Sequence, residues 1–231
     1  MMKDKAIKYL IKNPLLHTGM LETMRRGTSD ILYAEDDAVL LKEEKSNAYM
    51  LSVDDFEKGK ELLDSISSCN LILSHQEFMV AYIIDRFRLS KKLECFQAVY
   101  MDKAKLSVSE ELEIKQLDKS HVEIILEHYG KLSKSELETI LDDGDLFGGY
   151  KDGALIGFIG NHLEGSMGLL AIFPQYRRLG YGTMLESYMI NHMLENDLIP
   201  FAQIEVDNEK SLALQKRLGF SISKDRLFWI F

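Results

Sequence analysis

Proline and cysteine are both scarce in this sequence, and each scarcity limits what the chain can be. Its three prolines stand at positions 14, 174 and 200, and no Pro-rich or Gly/Ser-rich linker divides the chain. The two cysteines, Cys69 and Cys95, each lie inside an apolar, strand-like run. We expect them to be buried free thiols in a reducing cytoplasm rather than the two halves of a disulfide.

Long apolar runs and an excess of positive charge are missing as well. No run is long enough to span a bilayer, and residues 1–5 lack the apolar segment of a signal peptide. The net charge of −9 argues against a nucleic-acid-binding protein. No Cys/His cluster has the spacing of metal ligands, and no Ser/His/Asp set suggests a catalytic triad. We therefore expect a cytoplasmic monomer or homodimer that binds neither nucleic acid, nor membrane, nor metal.

The pattern of apolar residues predicts two halves with similar element order. A polar run around residue 105 is the best boundary, which predicts domains at 1–105 and 106–231. The downstream half reads β-α-α-β-β-β-α-β-α-β, with a capping box at Ser133 and Glu136 and a hairpin turn at Asp152-Gly153. The upstream half reads as two helices followed by β-β-β-α-β-α-β. The shared order predicts an internal repeat in an α/β fold with a mixed sheet.

One strand-turn-helix segment of the downstream half has the residues of an anion site. An apolar run ending at Phe173 predicts a buried strand, and residues 184–194 predict a helix. Between them lie two arginines and two glycines, at positions 177, 178, 180 and 182. A helix N-terminus offers free N–H groups and a positive dipole end, and glycine lets an extended anion such as pyrophosphate approach the backbone. The matching upstream segment, residues 53–57, carries acids instead, so we expect one such site rather than two.

The spacing Arg177-x-x-Gly180-x-Gly182 resembles the acyl-CoA pyrophosphate loop of the GNAT superfamily of N-acetyltransferases. Residues 208–220 begin with Asn-Glu-Lys-Ser and end with Arg-Leu-Gly-Phe, and they resemble the last helix of that superfamily. Residues 198–201 are similar to a branch that includes glycine N-acyltransferase-like enzymes. The resemblance implies a GNAT fold in the C-terminal half, packed with a degenerate, similarly ordered N-terminal half that lacks a CoA loop.

The resemblance also implies a binding mode for acetyl-CoA as the cosubstrate. The acyl-CoA is implied to lie between the strand that ends at Phe173 and the strand that begins near Phe201. Main chain at three positions is implied to bond its pantetheine arm: Leu170, Ala171 and Ile172. The segment implied to wrap its pyrophosphate is Arg177, Arg178, Leu179, Gly180, Tyr181, Gly182 and Thr183. Asn208 and Ser211 are implied to contact the pantetheine arm from the opposite wall.

Two carboxylates are candidates for the catalytic base. Glu205 lies on the predicted strand after Pro200, and Gln203 shares its face because side chains of a strand alternate. Glu164 and Ser166 form a second candidate pair at the turn before the cofactor strand. A third alternative is that water carries the proton and the amine arrives already deprotonated.

The proton donor for the leaving thiolate is the point where the chain departs from its relatives. Many family members carry a tyrosine in the last helix where this sequence has Gln215. A glutamine can hydrogen-bond to a sulfur but cannot give up a proton to it. Tyr181 or water is then left as the donor.

Two functions follow from these expectations. The first is an acyl-CoA-dependent N-acyltransferase that moves acetyl from acetyl-CoA to a primary amine of a small molecule, by direct attack in a ternary complex. The acceptor could be cationic, because acids gather around the second downstream helix at positions 136, 138, 142, 143 and 145, although a solvated helix face is the favoured explanation of these acids. The second function is a non-catalytic acyl-CoA-binding sensor or scaffold, which Gln215 leaves open. A dinucleotide-binding oxidoreductase is disfavoured, because Leu185 stands where a third glycine or alanine would be needed.

Overall fold

The computed structural model describes residues 2–231, which form eight α-helices and eleven β-strands. The helices are α1 (Met2–Leu10), α2 (Thr18–Arg26), α3 (Phe56–Asp64), α4 (Val80–Phe87), α5 (Val122–His128), α6 (Lys134–Asp143), α7 (Tyr181–Glu195) and α8 (Glu209–Arg217). The strands are β1 (Ser29–Ala34), β2 (Ala38–Glu43), β3 (Tyr49–Val53), β4 (Ile72–Ser74), β5 (Lys92–Val99), β6 (Glu113–Gln116), β7 (Leu146–Lys151), β8 (Ala154–Asn161), β9 (Met167–Ile172), β10 (Phe201–Glu205) and β11 (Ser221–Ile230).

The strands are hydrogen bonded in the order β1-β2-β3-β4-β11-β5-β10-β9-β8-β7-β6. Antiparallel pairs join β1 to β2 and β2 to β3, and a parallel pair joins β3 to β4. Strands β6 to β9 form an antiparallel meander. The sheet is therefore mixed, and the predicted α/β fold is confirmed.

The chain folds into two compact units that interleave in sequence. Unit 1 consists of residues up to 99 together with 203–216 and 220–231, and unit 2 consists of residues 100–202 and 217–219. Strand β11 explains the interleaving, because it lies antiparallel between β4 and β5, with Trp229 opposite Leu73 on one side and opposite Leu93 on the other. The predicted boundary at residue 105 divides the chain into two continuous halves, whereas each compact unit combines segments that are separate in sequence. The assignment of a degenerate and a catalytic domain to the two halves stays a prediction.

Unit 1 has an apolar cluster on each face of its strands. Leu41 and Met50 belong to the cluster that includes residues of α1 and α2, whereas their chain neighbours Leu40 and Leu51 belong to the cluster that includes residues of α3 and α4. This division follows from the alternation of side chains along a strand. Cys95 lies in the first cluster and Cys69 in the second, so the prediction that both thiols are buried is confirmed.

Unit 2 is built around helices α5 and α6, which pack against β7, β8 and β9 through a separate apolar cluster. Helix α6 begins with the predicted capping box, in which the Ser133 hydroxyl accepts from the Glu136 N–H and the Glu136 carboxylate accepts from the Ser133 N–H. The predicted hairpin turn is also confirmed. Asp152 and Gly153 join β7 to β8 with φ values of 51° and 80°, the left-handed pair that a tight two-residue turn requires.

Unit 1 also buries two histidines, His17 and His75, of which 6% and 5% respectively is exposed. His17 Nδ1 lies 2.9 Å from the Leu10 carbonyl oxygen, and His17 Nε2 lies 2.9 Å from Ser52 Oγ. A carbonyl only accepts, so Nδ1 carries the proton and Nε2 accepts from the Ser52 hydroxyl. The two imidazole rings meet edge to face, with their centroids 4.9 Å apart.

These histidines predict acid lability. Burial lowers the pKa of His17, and burial followed by the neighbouring His17 lowers the pKa of His75 to about 3. The unfolded chain therefore binds more protons below the ordinary imidazole pKa of about 6.5, so their stabilisation is complete above that pH and is lost as the pH falls below it. We expect the free energy of unfolding to decrease by up to about 1.4 kcal/mol per pH unit per histidine, measured by urea denaturation between about pH 7 and pH 5.5. His75→Gln should flatten this dependence; an unchanged slope in that variant would contradict the assignment.

Candidate functional site

Strand β9 contains a bulge at the point where the reacting end of an acyl group is expected. Leu169 has a φ of 53°, in the left-handed region that a leucine rarely adopts. The register against β8 shifts between Phe158 and Gly160, so β9 carries the extra residue. Bulges of this kind redirect the main chain and concentrate beside functional sites. The main chain of the predicted pantetheine-binding residues, Leu170, Ala171 and Ile172, follows directly after the bulge.

Strand β9 has its parallel partner only near its start. Ala202, in the part of β10 that belongs to unit 2, pairs with Met167, which precedes the bulge. The side chains of Leu170 and Ile172, beyond the bulge, are half-buried.

An exposed turn joins β9 to α7 and contains the predicted arginines and glycines. A single 3-10 turn at Pro174–Tyr176 leads into Arg177, whose Nε donates to the Ile172 carbonyl at 2.9 Å. Arg178 and Gly180 both have left-handed backbones, with φ values of 68° and 89°, and Gly180 is the residue before the first turn of α7. Residues 177–180 are all exposed. The turn therefore presents two guanidinium groups next to the N–H end of a fifteen-residue helix.

Gly182 in the first turn of α7 keeps the backbone accessible beside β9. A Cβ placed on Gly182 would lie 3.8 Å from Cγ1 of Ile172 and 3.9 Å from Cδ2 of Leu170. A methyl group fits at that distance, but a large side chain would cover the stretch of β9 that is predicted to bind a pantetheine arm. The positive turn, the free helix end and the small residue at 182 fit an extended diphosphate with an attached arm.

The structure adds a third cation that the sequence interpretation missed. The Arg217 guanidinium, at the end of α8, donates to Thr183 Oγ1 at 2.8 Å, and both residues belong to unit 2. Its signal was present in the last-helix motif, where a basic residue precedes Leu-Gly-Phe. Nothing in the motif indicates that this side chain reaches the first turn of α7.

We expect Arg217→Met to weaken acetyl-CoA binding about fivefold to tenfold, because a charge-assisted contact beside the phosphates is lost. The side chain is exposed, so the free energy of unfolding should change by less than about 0.5 kcal/mol. Isothermal titration with acetyl-CoA measures the first quantity and urea denaturation the second. Lys216→Met removes the same charge from the adjacent exposed residue and is the matched control. Equal affinity losses in the two variants would show that Arg217 has no specific role.

Glu164 and Ser166, the second candidate pair, lie together at the turn between β8 and β9. The Ser166 hydroxyl donates to the Glu164 carboxylate, and both side chains are buried. The ring of His162 packs directly over Gly168, where a Cβ would collide with it. The structure therefore brings these polar residues together next to the start of β9, and their catalytic role stays a prediction.

The remaining catalytic candidates, Glu205 and Gln215, belong to unit 1. Glu205 is half-buried, and Gln215 is 2% exposed. Gln203 is committed to the sheet, because its amide oxygen accepts from the Trp229 indole N–H and its amide nitrogen lies 3.4 Å from Gln97 Oε1. Its predicted partnership with Glu205 in a catalytic face therefore has no support from its hydrogen bonds.

Asn208 and Ser211 stand at the start of α8. Asn208 Oδ1 accepts from the Ser211 N–H at 3.1 Å, which satisfies one of the free donors of the helix end. This contact gives Asn208 a local structural role. The implied contacts of both residues with a pantetheine arm stay predictions.

Tyr181, one of the two remaining candidates for the proton donor, points into the interior of unit 2. Its side chain is 4% exposed, and its hydroxyl donates to Glu111 Oε1 at 3.1 Å. Lys151 binds the same carboxylate, and hydrogen bonds from Lys151 and then Tyr181 lower the pKa of Glu111. This hydroxyl is already donated within unit 2, so the Tyr181 side chain has a local structural role.

The acids around α6 have local partners. Glu136 completes the capping box of α6, and the Asp142 carboxylate pairs with Lys119 at 2.7 Å. A cationic acceptor therefore stays a prediction. Within residues 2–231, no three or more His, Cys, Asp or Glu side chains are grouped so that they could hold a metal ion. None of the helices in the described part of the chain is both long and apolar enough to cross a membrane.

Comparison with known proteins gives this site a family context. Residues 112–220 match the sequence model of the acetyltransferase (GNAT) family. No curated protein matches the chain. Among solved structures, a Drosophila protein is similar at a TM-score of 0.69 and 15% identity, over 100% of this chain and 95% of that one.

Two further structures are named as acetyltransferases. A GCN5-related N-acetyltransferase-like protein from Streptococcus suis is similar at a TM-score of 0.58 and 13% identity, over 100% of this chain and 99% of that one. An acetyltransferase of the GNAT family from Colwellia psychrerythraea is similar at a TM-score of 0.53 and 12% identity, over 87% and 83%. At these identities the structures show the shared fold. The chain is therefore similar to the acetyltransferase (GNAT) family over residues 112–220, and it shares its fold with these solved structures.

Proposed function

We propose that the protein is an acyl-CoA-dependent N-acyltransferase that moves an acetyl group from acetyl-CoA to a primary amine of a small molecule. The observation that carries the proposal is the exposed arginine-glycine turn between β9 and α7. It combines Arg177, Arg178 and Arg217 with a free helix N-terminus and with Gly182. This arrangement suits a diphosphate better than a monovalent carboxylate, because several donors face the same exposed segment.

The bound acetyl-CoA would supply an activated acetyl thioester. The chain's contribution is to hold it and to polarise its carbonyl. The turn and the first residues of α7 hold the phosphates, and the main chain of residues 170–172 holds the arm. A main-chain N–H just beyond the bulge at Leu169 donates to the acyl oxygen and stabilises the negative charge that develops there as the amine attacks.

Proton removal from the amine has two candidate routes through the protein. Glu205 is half-buried and can exchange protons with solvent, whereas Glu164 is 7% exposed and hydrogen bonded to Ser166. A general base must release the proton that it has taken up before the next turnover, so the more exposed Glu205 is the better candidate. Glu164 is better suited to orienting an acceptor.

Proton delivery to the leaving thiolate is assigned to water. Gln215 can donate an amide hydrogen bond to the sulfur but cannot transfer a proton, and the Tyr181 hydroxyl is donated to Glu111. A thiolate is less basic than an alkoxide, so it depends less on a dedicated proton donor when it leaves. The amine attacks directly in a ternary complex.

A thiol-release assay tests the proposal. Acetyl-CoA is mixed with the protein and a panel of primary amines, and free thiol is followed over time. Turnover with at least one amine supports the N-acyltransferase. Gln215 favours one alternative, a non-catalytic acyl-CoA-binding sensor or scaffold. Tight binding of acetyl-CoA without thiol release across the panel would support that alternative and overturn the enzyme.

A further inference from the structure

Unit 1 contains a cavity that the proposed acyltransferase does not use. Its volume is about 510 Å³ and all of its lining residues belong to unit 1. It lies where β3 and β4, which are parallel neighbours, both reach their carboxyl ends: Ser52 is in β3, and Asp54 and His75 directly follow β3 and β4. Ligands of α/β proteins commonly bind at the carboxyl ends of parallel strands, in cavities of this size.

The floor of the cavity is a chain of hydrogen bonds whose protons can be placed. The Gln76 amide N–H donates to Ser52 Oγ at 3.2 Å, and Ser52 donates to His17 Nε2. The Tyr9 hydroxyl donates to the Asp54 carboxylate at 2.8 Å. Among these side chains only Asp54 is charged, and the hydrogen bonds between them fix their orientations.

The Ser52–His17 pair has the spacing of an activated nucleophile, but it is not placed to attack a substrate. Ser52 is fully buried, and its oxygen already accepts from Gln76 while its hydroxyl donates to His17 Nε2. A nucleophile must reach the reacting carbon. The pair therefore stabilises the floor and does not supply a second reaction.

His75 lines the cavity beside His17. Its Nδ1 lies 3.0 Å from the Leu51 carbonyl oxygen and carries the proton. Its Nε2 is buried, and the imidazole also has a hydrogen bond with the Leu16 backbone.

The rim of the cavity carries charges of both signs in equal number. Three basic and three acidic side chains contribute: Lys12, Lys224, Arg226, Asp54, Glu77 and Asp225. Four of them already have partners in the chain, because Lys12 lies 3.7 Å from Asp54, Arg226 pairs with Glu94, and Asn13 donates to Asp225. Leu16 and Phe228 add apolar wall. A balanced rim disfavours a ligand with a net charge of either sign, because one set of side chains would repel it. Lys224 and Glu77 are both exposed, so they can turn toward a ligand.

The geometry points to a binding site in unit 1 for a small amino-acid-like zwitterion, with its carboxylate toward the basic side chains, its ammonium toward the acidic ones and an apolar side chain against Leu16 and Phe228. This site is separate in its residues from the arginine-glycine turn. It binds its ligand whether or not acyl-CoA is present.

Three related probes test the charge requirement, by isothermal titration without acyl-CoA. L-leucine has both charges, N-acetyl-L-leucine lacks the ammonium, and L-leucinamide lacks the carboxylate. We expect L-leucine to bind at least about fivefold more tightly than either relative. Equal affinities for the three, or no binding of L-leucine, would overturn the proposal.

Two rim variants test the location of the site. Lys224→Ala and Glu77→Ala should each weaken L-leucine binding about threefold to fivefold. The first removes a partner of the ligand carboxylate, and the second removes a partner of the ligand ammonium. Lys103→Ala and Glu110→Ala, at exposed positions of unit 2, are the matched controls and should bind as the unaltered chain does. Unaltered binding in both rim variants would place the zwitterion elsewhere and refute the assignment.

Discussion

Gly182→Trp is expected to weaken acetyl-CoA binding by at least about 100-fold while the protein stays folded. A Cβ at residue 182 lies 3.8 to 3.9 Å from the side chains of Ile172 and Leu170, so an indole ring attached there must lie over the end of β9. That stretch of main chain is the proposed seat of the pantetheine arm. The same ring blocks the N–H end of α7, so it removes both parts of the binding surface. Isothermal titration with acetyl-CoA measures the loss.

Two variants distinguish blockage from damage to the fold. Gly182→Ala places a methyl group at ordinary contact distance and also favours the helix by about 0.5 to 1 kcal/mol, so it should retain binding and stability. Gly130→Trp adds the same ring at an exposed position with open space around it, and should bind acetyl-CoA normally. Unchanged affinity in Gly182→Trp would refute the placement of the acyl-CoA on this turn.

Phe228→Ala is expected to lower the free energy of unfolding by about 3 to 5 kcal/mol. Phe228 is 2% exposed and lies near the C-terminal end of β11, where it is opposite Ser74 on β4 and opposite Glu94 on β5. Truncation leaves a cavity within the apolar cluster that includes residues of α3 and α4. Urea denaturation of the full chain measures the change.

Phe78→Ala is the matched control, because it deletes the same atoms from a side chain that is 46% exposed. Its cost should be below about 1 kcal/mol. If Phe228→Ala and Phe78→Ala had similar effects, the central position of β11 in unit 1 would be wrong.

Local structure followed closely from the sequence, since the features that determine it are local. Periodicity placed the helices and strands, a Ser-x-x-Glu box marked the start of α6, and Asp-Gly marked the turn between β7 and β8. The strand, turn and helix that form the candidate anion site were also predictable, because they are continuous in sequence from Phe173 to Thr183.

Features that depend on distant contacts were not predictable. The position of β11 between β4 and β5 joins residues more than a hundred positions apart, and no local pattern encodes such a pairing. The bulge at Leu169 is hidden in an apolar run, because neither its φ nor its register shift changes the residue types. The contact of Arg217 with Thr183 depends on where α8 ends relative to α7, and that placement is set by the whole fold.

The partners of Tyr181 were unpredictable for the same reason. Its hydroxyl donates to Glu111, which also pairs with Lys151, and both residues are distant from position 181 in sequence.

The central position of β11 also governs the order in which the chain can fold. A ribosome delivers β1 to β5 early, yet β4 and β5 have no strand between them until residues 221–230 have been made. Unit 1 must therefore wait, with two unpaired strand edges, until nearly all of unit 2 has been synthesised. This makes unit 2 the natural first folding unit, although it begins later in the sequence, and it makes the closing of unit 1 a slow, long-range step.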